Sequence, residues 1–163
     1  MIDIFHQHVH NIFLWGFIAT CAMACTQEGT QTLGYSRMSF PFLIGTFFTG
    51  NRRHAEWSGF LCYVLGGWLF AALYIYIFNS LGHAGIITGS IIGFCQGLFM
   101  LLVLMPLLPF IHPRMSSPYD GPTSSRRIEP PGFMALHYGY RAPLIHLLGQ
   151  MIFGGIIGGT YNL

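Results

Sequence analysis

The chain has 163 residues, 53% of them hydrophobic and only 7% charged, with seven arginines, five acids and no lysine. A soluble domain carries roughly 25% charged residues, so this chain cannot clothe a water-facing surface, and it is too apolar to be disordered. A net charge of +2 leaves no basic footprint for nucleic acid. What remains is an integral membrane protein whose first partner is the lipid bilayer.

Crossing the hydrocarbon takes about 20 mostly apolar residues as a helix. Four segments qualify, over residues 12–33, 58–78, 85–106 and 144–161. The first is apolar as far as Cys25 and polar beyond it, through Thr26, Gln27, Glu28, Thr30, Gln31 and Thr32. A cleaved signal peptide is the other reading of this segment, but the basic region that opens one is missing. Residues 38–48 are apolar yet too short to cross, and Pro41 opens them, so they read as a re-entrant or interfacial segment. Residues 112–141 form a loop with five prolines that also carries Phe133, Tyr138 and Tyr140. Loops of this length are functional or linkers, and its aromatics predict an ordered loop folded over the membrane face or docked on a partner. The expected fold is all-α: a polytopic membrane protein of four transmembrane helices in an up-down bundle, forming one integral membrane domain.

Orientation follows from the arginines. Arg37, Arg52 and Arg53 lie between the first two spans, and Arg114, Arg126, Arg127 and Arg141 between the last two. The short turn at 79–84 and both termini carry none. The positive-inside rule predicts a multi-pass membrane protein with both termini on the extracytoplasmic side.

Two glycine patterns bear on packing. Gly85, Gly89, Gly93 and Gly97 recur every fourth residue, and Gly154/Gly158 overlaps Gly155/Gly159. On helices these make faces without side chains, where backbones approach closely in lipid. The partner face could lie within the chain or on another protein.

Polar residues inside spans are expensive and become candidates for function. Glu28 is the one acid within a span. Depth along the helices predicts an intramembrane polar cluster of Glu28, Tyr63, Gln96 and Gln150, with His146 at its edge. Interhelical hydrogen bonding is the plainer use of such groups, and a proton, ligand or metal site the sharper one. His6, His8 and His10 alternate just before the first span, and His83 lies on the same side. On an extended strand the three imidazoles would face one way, a candidate zinc or copper site; solvated interfacial histidines are the alternative. Cys21 and Cys25 flank Met23 in what could be a soft copper site, although free cysteines in helices more often pack as small apolar groups. No catalytic nucleophile or enzyme motif is present.

The order of motifs resembles a group of uncharacterised small four-span bacterial integral membrane proteins. Gly16-Phe-Ile-Ala-Thr, the run from Leu33 to Thr49, Gly67-Trp-Leu-Phe-Ala, Pro106-Leu-Leu-Pro, His112-Pro-Arg-Met, Glu129-Pro-Pro-Gly-Phe and the stretch from Phe153 to Tyr161 carry the likeness. It covers nearly the whole chain after the first dozen residues. The resemblance implies a four-span protein of the bacterial inner (cytoplasmic) membrane and no activity, since the group is a domain of unknown function. Members of the group often carry histidines at the positions of Tyr63, Gln96 and Gln150. Here those positions hold poor metal ligands, which keeps a polar pocket but not metal chemistry.

Two functions are therefore expected. The first is a non-catalytic accessory or structural subunit of a larger membrane complex, respiratory, photosynthetic or oxygenase-like, docking on other membrane subunits through Gly-rich and aromatic helix faces. The second is a small binding or transport protein for a metal ion, haem, quinone or other small ligand in a pocket centred on Glu28. A resident cofactor is not specified; lipid or quinone contact, or copper or zinc at the histidines, is compatible with the residues.

Overall fold

The structure, a computed structural model, describes residues 2–116 and 121–161, with side chains described at residue 9 and from residue 12 onward. The chain is 74% helix. Among the described residues the only extended pairing is a single bridge between Met115 and Ile128. The elements are α1 (Ile2–Thr32), α2 (Phe40–Gly45), α3 (Arg52–Leu81), α4 (Ile86–Phe99), a π-helical segment (Met100–Leu104), α5 (Met105–Ile111), a 3-10 segment (Phe133–Tyr138) and α6 (Ala142–Thr160).

Three helices are long and apolar enough to cross a membrane: Arg52–Leu81, the continuous rod Ile86–Ile111, and Ala142–Thr160. Two of them outrun the expected spans, and α3 does so because both its ends are capped. Asn51 accepts a hydrogen bond from the His54 N–H at 3.3 Å and starts α3 six residues before position 58. Gly82, at φ 63°, ends it in the left-handed conformation that glycine adopts without strain. The segment expected over 38–48 contracts to the six residues of α2, where the Ser39 hydroxyl caps Phe42 N–H at 3.3 Å and Pro41 occupies the first turn.

The rod Ile86–Ile111 carries a feature outside the sequence reading. Pro106 has no N–H to give the Leu102 carbonyl, and its ring crowds that carbonyl. The helix widens just upstream, and Met105 N–H bonds Met100 O across five residues.

Helix α6 is the hub. It packs against α4 on one side and α1 on another, while α3 packs against α1 and α2. The α4–α6 contact is made by the glycines. A methyl group on Gly89 would overlap the Gly154 carbonyl oxygen, one on Gly93 the Gln150 carbonyl, and one on Gly158 the Gly85 carbonyl. The Gly85/Gly89/Gly93/Gly97 ladder and the Gly154/Gly158 pair therefore meet each other within the chain. Gly155 and Gly159 face the side chains of Ser90 and Ile86 instead. On the other flank Thr20 of α1 sits against Gly67 of α3, and Gly16 against Ala71 and Trp68.

Helices α3 and α4 follow each other in sequence but share no packed face. They part below their common turn, and α2 occupies the space at the arginine-bearing end. Gly45 lies against the Ala55 carbonyl and Gly59 against the Pro41 carbonyl so closely that neither has room for a methyl group.

The 112–141 loop folds back onto that same end. Arg114 Nη1 donates to the carbonyls of Thr46 at 2.7 Å and Phe47 at 3.0 Å. Arg37 N–H donates to Tyr138 O at 2.7 Å, and its guanidinium pairs with Glu129 at 3.3 Å and bonds His137 O. Arg141 lies over the rings of Tyr35 and Tyr140, with its guanidinium carbon 4.9 and 5.0 Å from their centroids.

A side chain forced between α4 and α6 must push two backbones apart. Gly89→Val is expected to destabilise the protein by about 1–3 kcal/mol or more. Gly66→Ala, whose added methyl group meets nothing within 4 Å, should be neutral or stabilising by about 0.5–1 kcal/mol, the helical cost of glycine over alanine. Unfolding midpoints in detergent and denaturant check the pair.

Candidate functional site

The parting of α3 and α4 leaves a cleft of about 290 Å³. Its α3 wall is Cys62, Tyr63, Gly66, Gly67 and Phe70. Gln96 and Met100, with Leu104, Met105, Leu108 and Ile111 below them, form the opposite wall. Phe40, Leu43, Ile44 and Phe47 bring α2 up as the floor, and Met23, Gln150 and Phe153 close the back. The π-helical turn lies along this wall, which agrees with the habit of such turns to mark functional positions.

The polar groups behind the cleft are linked. The Tyr63 hydroxyl donates to Gln27 Oε1 at 2.9 Å, and Gln27 Nε2 approaches His146 Nδ1 at 3.4 Å. Gln27 and Gln150 are 2% exposed and His146 not at all. The other end of His146, Nε2, is buried without a hydrogen-bond partner among the described residues, and its ring stacks on Phe40 with centroids 4.6 Å apart. A second pair lies on the opposite wall. Gln96 Nε2 donates to Gln150 Oε1 at 3.1 Å, and Gln150 Nε2 reaches the Met100 thioether at 3.4 Å.

Four of the five residues expected in one intramembrane cluster, Tyr63, Gln96, Gln150 and His146, thus fall around this cleft or just behind it. Glu28 does not join them. Its carboxylate accepts from the Ser39 hydroxyl at 2.8 Å and borders a separate groove with Cys25, Glu56 and Phe60. The hub is its neighbour Gln27. One residue of offset on a helix turns a side chain by about 100°, enough to exchange the face toward α6 for the face toward α2. The buried face of α1 runs through Gly16, Ala19, Thr20, Met23 and Ala24. Continuing that three-and-four spacing lands on Gln27, which is the signal that could have found it.

The metal site expected at His6, His8, His10 and His83 rested on an extended backbone. Helix α1 begins at Ile2, so the backbone through the three N-terminal histidines is helical and not extended. The side chains of His6, His8 and His10 lie outside the described residues, and His83 is exposed on the α3–α4 turn. Among the described residues no group of three or more His, Cys, Asp or Glu comes together. Cys21 and Cys25 are free thiols, one half-buried and one exposed.

Below the cleft, His112 bolts α2 to the end of α5. Its Nε2 lies 3.2 Å from the Leu43 carbonyl and 3.1 Å from the Thr46 hydroxyl, while Nδ1 accepts the Arg114 N–H at 3.1 Å. Burial holds this imidazole below the usual histidine range; the hydrogen bond to Leu43 works against that and the Arg114 charge works with it.

The three long apolar helices mark the chain as a helical membrane protein, with a mainly apolar, amide-backed cleft between two of its candidate spans. It matches no known protein family, no curated protein and no solved structure.

The His112 contacts carry a pH dependence. The unfolded imidazole takes up its proton near pH 6.5 and the folded one only at lower pH. The stability it contributes is therefore complete above about pH 6.5 and declines as pH falls below it. Amide hydrogen exchange over α2 and residues 112–116 should rise several-fold from about pH 7.5 to about pH 5, after correction for intrinsic rates. In His112→Gln the pH dependence of that protection should vanish.

Proposed function

We propose that the protein binds a small lipid-soluble molecule in the cleft between α3 and the α4–α5 rod. One observation carries this reading: an apolar space of about 290 Å³ backed by a few convergent polar groups, the usual composition of a small-molecule site. The site belongs to the binding-protein reading of the sequence, with Tyr63 on its wall and Gln27 behind it in place of Glu28. Haem and hard or borderline metal ions are poor occupants, because the polar lining is amides, a phenol, thioethers and the single thiol of Cys62, with no imidazole or carboxylate among the described residues. A quinone-type or other neutral lipid suits it better.

The topology proposed with this function is a four-span bundle in the bacterial inner membrane. Helix α1 is the fourth span. It lies along α3 and α6, exposes Phe13, Leu14, Phe17 and Ile18, and satisfies the hydroxyls of its polar half internally: Thr26 bonds Ala22 O, Thr30 bonds Thr26 O and Thr32 bonds Gly29 O. In this arrangement α2 is a re-entrant or interfacial plug on the cytoplasmic side, beside the arginines. Both termini are extracytoplasmic. A reporter fused after the last residue should be active as alkaline phosphatase and dark as a cytoplasm-dependent fluorescent protein. The reverse result would overturn the orientation.

A second reading, an accessory subunit of a larger membrane complex, is favoured by a groove on the opposite face. There Trp15, Ile18, Ile86 and Ser90 border the small residues Gly155 and Gly159, a surface suited to a transmembrane helix of another subunit. The main glycine ladder is unavailable for such docking, because α4 and α6 bury it against each other.

Gly66 tests the ligand reading. It lines the cleft, and an added Cβ meets nothing within 4 Å, so a side chain there starts in open space and Gly66→Phe competes with a ligand for the cleft. Organic extracts of the purified wild type should contain a stoichiometric lipid that the variant lacks, at unchanged thermal stability. Equal lipid content in both would sink the proposal.

A further inference from the structure

The hydrogen-bonding groups of the cleft, and the one acceptor among them left without a partner, select a ligand. Tyr63 spends its proton on Gln27 Oε1 at 2.9 Å, so its oxygen presents only lone pairs to a further partner. The orientation of the amide pair follows from Met100. Its thioether is an acceptor, so the group of Gln150 at 3.4 Å from it is the amino group, and Gln150 Oε1 takes the proton of Gln96 Nε2. Gln96 is left with its carbonyl oxygen unpartnered among the described residues and with one spare N–H. Gln150 likewise keeps one spare N–H beyond the one given to Met100, so the need left unmet is that of an acceptor: Gln96 Oε1, which only a donor can satisfy. No residue lining the cleft is an acid, an arginine or a histidine. An anionic head group, carboxylate or phosphate, would lie there without a counter-charge, at a prohibitive desolvation cost. Around these groups the surfaces are Phe40, Phe70 and Phe153 with Met23 and Met105, suited to the faces and edges of a flat ring.

Resting on the cleft as a ligand site, we propose that its ligand is a neutral lipid with a hydroxylated aromatic ring, a phenol or quinol with an apolar tail, and that Gln96 selects the hydroxyl. The ring hydroxyl donates to Gln96 Oε1, and its oxygen accepts the spare Gln96 N–H. A quinone carbonyl can only accept N–H groups and leaves Gln96 Oε1 without a donor. The tail leaves between α3 and the α4–α5 rod, which share no packed face.

The test uses the full chain in lipid nanodiscs, titrated anaerobically by calorimetry with decyl-tailed benzoquinol, the matching benzoquinone and decanoate. The quinol should bind roughly tenfold more tightly than the quinone, the usual worth of one hydrogen bond in a desolvated site, and decanoate should show no saturable binding. Gln96→Leu should weaken quinol binding by roughly the same factor and leave the quinone within about threefold. Where Gln96→Leu fails to fold, Gln96→Asn, which keeps the amide but withdraws it by one methylene, serves the same comparison. Quinone binding equal to quinol, saturable decanoate binding, or a Gln96 variant that retains the quinol preference would each overturn the ligand class. So would failure of every probe while the wild type still carries an extracted lipid that Gly66→Phe lacks, and in that case the cleft remains a ligand site. Failure of every probe with equal lipid content in the two proteins overturns the cleft reading itself.

Discussion

The backbone-to-backbone contact of α4 with α6 governs the rest of the structure. Each helix presents glycine where the other presents a carbonyl, at Gly89 against Gly154, Gly93 against Gln150 and Gly158 against Gly85. Dispersion between backbones at such range is available only where no side chain intervenes. The contact draws α4 onto α6 and so away from α3, to which a short turn joins it. Two helices tied at one end and pulled apart by a third must diverge toward the other end. The cleft is the volume that this divergence opens. Its depth is set by the glycine ladder and its shape by Pro106, which widens the rod where Met100 and Leu104 line the wall.

An opening of this kind at the arginine-bearing end would admit water unless something filled it. Helix α2 does so, and its six residues are held from two sides. Gly45 and Gly59 let it seat directly on the α3 backbone, while His112 and Arg114 reach across from the end of α5 to the carbonyls of Leu43, Thr46 and Phe47. A helix this short has no stability of its own. Its position therefore depends on those contacts, and the lower wall of the cleft depends on its position.

Much of this was legible in the sequence and some was not, for identifiable reasons. The glycine ladder reports backbone contact because glycine at four-residue spacing has little other use inside an apolar helix. What it could not report was the partner, since a featureless face carries no address. The apolar periods located the long helices but not their ends, because Asn51 caps α3 outside its apolar run. Glu28 attracted attention as a charge, yet its neighbour Gln27 holds the buried position. Cost draws the eye to an acid, whereas burial is decided by helical phase. In the N-terminal histidines the alternation was real, but alternation has meaning only on an extended backbone, and α1 is already helical there.

The choice of amides at the centre follows from the same geometry. Tyr63, Gln27 and His146 come from three different helices, and Gln96 and Gln150 from two, so each link crosses a helix interface. A carboxylate at any of these places would carry charge into a space lined by phenylalanine and methionine with every arginine elsewhere. Amides avoid that cost, and each can both give and accept. They are also directional: fixing one end of a glutamine fixes what its other end offers. Met100 at one end of Gln150 and Gln150 at one end of Gln96 therefore determine, two residues away, that the cleft presents a carbonyl oxygen. A thioether, one of the weakest hydrogen-bonding groups in the protein, in this way orients the whole polar wall.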